Sequence, residues 1–325
     1  MDERRLTVFL HTRAFTLLLM VVAFVASIIA SNHDAIIAFT GNRGFIFPSA
    51  NEWFESRGLS MVVSLLVTFG MASLAGSILK AFNTMRALSS LWASFFIVLE
   101  CALPSVIFQF NSGTLLAVIL IGATMILFSC YGVPDAKRVF LAFMLISIGS
   151  MFQYAYLFFI PVMILGLAQM RIIHVKPILA AFLGICAPYW FIFGCGILPL
   201  DSLLHPQFVH VELHLADMEK VRVYTVIGFT ITIGIGFLIA NLMKMLTYNA
   251  QVRAFNGIFA IMLIATALML LIDYHNRSTY IPLLNFLTAY QICFFFTIRR
   301  FKRSYIPILA IVGLYTFLYV WSLIV

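Results

Sequence analysis

Thirty-two consecutive residues, Val139 to Met170, carry no charge, and they are fenced by Lys137 and Arg138 on one side and Arg171 on the other. As a single helix rising 1.5 Å per residue they would reach about 48 Å, well beyond a hydrocarbon core of about 30 Å. Split in two, each arm would reach only about 22 to 24 Å. How this stretch is threaded decides the sidedness of everything that follows it.

The rest of the chain places that problem in a membrane. Of 325 residues 63% are hydrophobic and 10% charged, where soluble domains carry about 25% charged residues. Mean hydropathy is +1.07. The apolar runs are long enough to cross a bilayer as helices, and they lack the alternation of a membrane barrel. The expected fold is therefore all-α: one polytopic helical bundle over residues 1–325, with no separate soluble domain and with the lipid bilayer as its surroundings. The net charge of +8 does not point to nucleic acid, because the basic residues sit at the ends of apolar runs, as the positive-inside rule requires, and not on one solvated face.

Apolar spans fall at about 12–31, 59–79, 87–106, 114–131, 177–197, 223–243, 254–272, 280–298 and 304–323. With a cytoplasmic N-terminus, 15 Lys and Arg lie inside and 5 outside, provided that residues 139–170 leave and return. A single crossing there would push Arg299, Arg300, Lys302 and Arg303 outside, which is strongly disfavoured. The stretch is therefore expected to be a short helical hairpin, giving about 11 membrane segments with the C-terminus outside. Its turn would contain Ser147, Gly149, Ser150, Gln153, Tyr154 and Tyr156. Broken backbone at that depth needs protein or a wet cavity around it, so an outward-opening cavity is expected against the apex, with Gln153, Tyr154 and Tyr156 lining it; otherwise the arms tilt little and the turn sits at the interface. The basic start and the small residues near Ala30 resemble a secretion signal, but the long apolar core and the spans that follow favour an uncleaved first helix. Five single cysteines in apolar runs form no metal or disulfide pattern.

Acidic residues are distributed oppositely: Asp34, Glu52, Glu55, Asp201, Glu212, Asp217, Glu219 and Asp273 fall outside in this topology. The first outer loop places Asp34 beside His33 at the end of the first helix and carries an ANEWFES segment with Glu52. A carboxylate there could serve as general base or hold a divalent cation; otherwise the pair is a solvated cap and the segment an interfacial anchor. In the second outer loop, HVELH would place His210, Glu212 and His214 on one face of an extended segment as candidate zinc ligands. The HExxH order is absent there, so a surface amphipathic segment is the default. Glu100 is the one acid inside a predicted span, near its outer end; an intramembrane acid marks a pathway or site, and the alternative is a structural Glu that snorkels to the surface. In the third outer loop, DYHNRSTY, Arg277 together with Arg222 or Arg43 could meet a phosphate.

The segment PDAKRVFLAFMLISIGSMFQYAYLFFIPVMILGLAQMRIIHVKPILAAFLGICAPYWFIFG resembles a family of uncharacterised bacterial inner-membrane proteins of about this length. Its order of basic residue, short Gly- and Ser-bearing helix, turn, aromatic helix with Pro161 and basic residue is also similar to the central hairpin of GT-C type glycosyltransferases. That second resemblance implies a polyprenyl-phosphate-linked sugar as partner and a catalytic acid in the first outer loop. Asp34 matches that position, with Glu52 in reserve. The expected setting is a bacterial cytoplasmic membrane. The expected activity is transfer of a lipid-linked envelope sugar, against two alternatives: a transporter or flippase with a broken-helix site, in which Glu100 couples to protons, and a non-catalytic subunit of an envelope complex.

Overall fold

Where lipid offers the backbone no partners, a spanning segment must satisfy its own hydrogen bonds, and every regular element among the described residues is helical. The computed structural model describes residues 3–31, 46–82, 89–199, 218–273, 276–298 and 305–324. The helices are α1 (Glu3–Leu10), α2 (Arg13–Ser31), α3 (Arg57–Ala81), α4 (Ser89–Cys101), α5 (Pro104–Phe108), α6 (Ser112–Phe128) and α7 (Ala136–Phe152). They continue with α8 (Phe159–Gln169), α9 (Val175–Tyr189), α10 (Met218–Leu242), α11 (Ala250–Ile272), α12 (Arg277–Ile298) and α13 (Tyr305–Ile324).

Seven segments are long and apolar enough to cross a membrane: α2, α3, α9 with the π-helical turn that extends it, and α10 to α13. Several turn apolar side chains outward, among them Leu17 and Val21 on α2 and Phe182 and Leu183 on α9, as a lipid-facing surface does. The chain is a multi-pass helical membrane protein. Helices α4, α6, α7 and α8 are shorter, at 13, 17, 17 and 11 residues.

The disputed stretch goes out and comes back. At its start Asp135 caps α7, its carboxylate accepting from Lys137 N at 3.0 Å and Arg138 N at 3.4 Å. At its end the N–H of Gly132 donates to the carbonyl of Met170 at 3.0 Å, so the two ends of residues 136–170 meet. Between them α7 stops at Phe152, Gln153 is extended, and a 3-10 turn, Tyr154–Phe158, leads into α8. Pro161 lies in the first turn of α8, where its missing N–H leaves no helical bond unmade. Gly149 makes the turn possible: a Cβ there would overlap the ring of Tyr156.

The connections gather at two ends. One end, called here the apex end, joins the hairpin apex to the start of α6 and the start of α12. The other, the basic end, carries Lys137, Arg138, Arg171, Lys176, Lys244 and Arg253 at or near helix termini. Aromatic packing ties the basic end together, with Phe82, Phe128, Phe255 and Tyr131 in edge and stacked contacts.

Helix α12 is the centre of the bundle. Its spanning window is 94% buried, yet it carries polar side chains along its whole length, including Thr279, Tyr280, Asn285, Thr288 and Gln291. A helix of this polarity is stable inside a bilayer only when other helices enclose it. It packs against α4, α6, α10 and α11, and Trp92 of α4 donates from Nε1 to the carbonyl of Phe286 at 3.1 Å.

Candidate functional site

Ending α7 at Phe152 leaves carbonyls without helical partners. One of them, Met151 O, accepts from the backbone N–H groups of Ile46 at 2.8 Å and Phe47 at 3.0 Å. Residues 46 and 47 are thereby fastened to the hairpin apex. Asn51 of the same loop accepts from Ser112 N at 2.8 Å through its Oδ1, reaching the start of α6.

The apex side chains turn inward to a buried carboxylate. Asp273, immediately after α11, is fully buried. Its Oδ1 accepts from Tyr154 OH at 3.2 Å and its Oδ2 from Tyr280 OH at 2.9 Å. Asn276 Nδ2 donates to both oxygens, at 3.0 and 2.9 Å, and also to Tyr154 OH. Gln153 Nε2 donates to Asn276 Oδ1 at 3.0 Å. Beside this cluster Tyr156 OH donates to Ser112 O at 3.2 Å, and the Ser112 and Thr279 hydroxyls bond at 2.9 Å. A carboxylate with this many donors is held firmly. No Lys, Arg or His among the described residues pairs with it, the ion pair present there being Arg138 with Asp135 at 3.2 Å. Gln153, 2% exposed, keeps its Oε1 without a hydrogen-bond partner.

A second interruption faces α12 from α4. That helix ends at Cys101, Leu103 is extended, and α5 restarts with Pro104. Glu100 sits at this break, 2% exposed, with Asn285 of α12 as the polar group beside its carboxyl. Its Oε1 has no hydrogen-bond partner. Asn285 lies about 12 Å from the start of α12 and about 20 Å from its end, at 1.5 Å per residue. Glu100 is therefore buried within the bundle, nearer the apex end of α12 than its basic end. The predicted span 87–106 runs through a break that Pro104 imposes.

Of the expected site residues, Gln153, Tyr154 and Tyr156 come together at the apex, but bonded to α6, α12 and Asp273 and buried. A cavity of about 360 Å³ lined by described residues lies between α2, α4 and α13. Glu52 is exposed on a 3-10 turn, Ala50–Glu52, beside Trp53, whose ring packs on Phe110 and Phe152. Arg222 is buried at the start of α10, its guanidinium donating to Ser322 O on α13. Arg277 opens α12, half-buried. Asp34, Arg43, His210, Glu212 and His214 lie outside the described residues; among those described, no grouping of His, Cys, Asp and Glu fit for a metal is found. Asp273, Asn276 and Tyr280 were read from the sequence only as members of an interfacial loop. Their spacing of three and four residues, which puts side chains on one helical face, was the signal that could have joined them.

No protein-family model, curated protein or solved structure matches this chain.

Proposed function

We propose that this chain is a transporter or flippase of a cytoplasmic membrane, working through two interrupted helices set against α12. One observation carries the reading: each break, at Gln153 and at Glu100, presents to α12 a buried side chain with an unpaired oxygen. Discontinuous helices that offer polar groups at membrane depth are the usual construction of a solute site, and an unpaired buried oxygen is rare enough to call for a role. In this reading Gln153, Tyr154 and Asp273 recognise a polar solute or lipid head group at the apex, and Glu100 takes up and releases the coupling proton. Asn285 suits that task, because its amide donates to a carboxylate through Nδ2 and accepts from a carboxylic acid through Oδ1.

The test is reconstitution into vesicles with a fluorescent polyprenyl-phosphate sugar as probe, its movement between leaflets read by quenching from outside. A pH gradient should drive that movement in the unaltered chain, Glu100→Gln should abolish it, and Glu52→Gln should leave it unchanged. Movement indifferent to Glu100 removes the reading.

A second reading is favoured by the fastening of residues 46 and 47 to Met151 O. Those two residues follow Asp34 and Arg43 in the chain, in the segment to which the GT-C resemblance assigns the catalytic acid. Asp34 would then act as base or divalent-cation ligand toward a polyprenyl-phosphate-linked sugar, with Arg43 and Arg277 at its phosphate. Asp34→Asn should abolish glycan transfer while membrane insertion persists; transfer at the unaltered rate removes this alternative.

A further inference from the structure

The oxygen of Glu100 faces a question of supply: a proton must reach it from one end of the bundle. Toward the basic end, the next polar groups on α12 are Thr288 and Gln291, each one turn further on and about 4.5 Å along the axis. Both face α10. At Thr288 that helix carries Gly234, where even a Cβ would come within 2.7 Å of Thr288 Oγ1. At Gln291 it carries Asn241, whose Nδ2 donates to Gln291 O and Oε1, both at 2.9 Å. Gln291 Nε2 reaches on to Asn256 Oδ1 of α11 at 3.4 Å, and Asn256 Nδ2 meets the sulfur of Met245 at 3.4 Å, in the turn that follows α10. All four polar residues are fully buried.

Two atoms in this seam have no hydrogen-bond partner: Thr288 Oγ1 and Asn241 Oδ1. With Glu100 Oε1 they make three buried oxygens spaced along α12 from Asn285 toward the basic end. Buried oxygens of this kind are satisfied in proteins by protein groups or by water making two to four hydrogen bonds. Toward the apex, by contrast, Tyr280 and Asn276 are already committed to Asp273.

We infer that the α10–α12 seam is a water route that connects Glu100 to the basic end, and that the coupling proton enters and leaves by it. A proton from solvent passes along water past Asn256, Gln291, Asn241 and Thr288 and adds to the Glu100 carboxylate, giving the carboxylic acid; the reverse transfer regenerates the carboxylate. The amides hold the water without exchanging protons themselves. Among the groups around Glu100, Cys101 on its own helix and Tyr319 of α13 beyond it are titratable. No charged side chain on α2, α3, α12 or α13 forms an ion pair with it among the described residues.

The inference rests on Glu100 as proton carrier, and its test is independent of transport. Thr288→Cys introduces a thiol whose S–H stretching band shifts when the hydrogen exchanges with D₂O, read as a difference from the unaltered chain. Exchange should be roughly tenfold faster than for Leu287→Cys, a fully buried position beside it on α12. Adding Asn241→Leu should slow it, and adding Asn276→Leu should not. Exchange no faster than at Leu287, or slowed by Asn276→Leu alone, overturns the route. Fast exchange in a chain whose vesicles show no Glu100-dependent movement leaves the route standing and removes the functional reading. Variants are compared only where gel filtration in detergent gives the unaltered elution; if Thr288→Cys fails this, Asn241→Cys takes its place with the same expectation.

Discussion

Gly132 N–H and Met170 O are bonded at 3.0 Å although 38 residues separate them. That bond closes the base of the α7–α8 hairpin and fixes both of its ends on the same side of the bundle. Charge spacing alone required the same return, because Lys137, Arg138 and Arg171 would otherwise be parted by the bilayer.

The hairpin apex depends on a missing side chain. In Gly149→Leu the new atoms occupy the place of the Tyr156 ring, and overpacking of this kind costs about 1 to 3 kcal/mol. Thermal unfolding in detergent should fall accordingly, and the Tyr156 bond to Ser112 should be lost. Gly228→Ala, with open space around it, is the control and should unfold with the unaltered chain.

Asp273 organises three donors, so removing it is worse than removing any one of them. Asp273→Ala strands the Tyr154, Tyr280 and Asn276 donors in a buried site, and stability should drop by about 3 kcal/mol or more, whereas Tyr280→Phe should lose about 1 kcal/mol. Denaturant unfolding of the two variants checks the order. Equal losses would mean that the carboxylate is not the hub.

Trp92 packs on Phe286, Tyr290 and Phe259 with ring centroids 4.7, 5.0 and 5.8 Å away. Truncation to Ala should cost about 3 to 5 kcal/mol, and Trp92→Phe, which keeps the ring and loses the bond to Phe286 O, about 1 kcal/mol. Unfolding followed by far-ultraviolet circular dichroism would measure both.

His11 lies between α1 and α2, outside the spans, and burial holds its imidazole below the ordinary 6.5. The unfolded chain therefore takes up a proton as pH falls through 6.5 while the folded chain does not. Stability should be intact above that pH and decline below it until the folded imidazole also titrates. His11→Gln should flatten this part of the pH profile of thermal unfolding.

The helical class, the hairpin and the basic end could be read from the sequence because each is local: run length, charge spacing and one proline decide them. The break beside Glu100 could not be read so directly. Its surroundings look like one continuous span until Pro104 is allowed to end α4 early, leaving the acid at a break. The partners of the apex were out of reach altogether. Gln153 finds Asn276, Tyr154 finds Asp273 and Tyr156 finds Ser112 across 123, 119 and 44 residues, pairings that no periodicity encodes. For the same reason an acid that looked like part of an ordinary loop stands at the centre of the apex groups.

Helix α12 touches both breaks. Asn285 on it stands beside Glu100, and Asn276, the residue immediately before the helix, is bonded to Gln153. One rod therefore links the two sites, and a rigid shift of it along its axis would displace both contacts together.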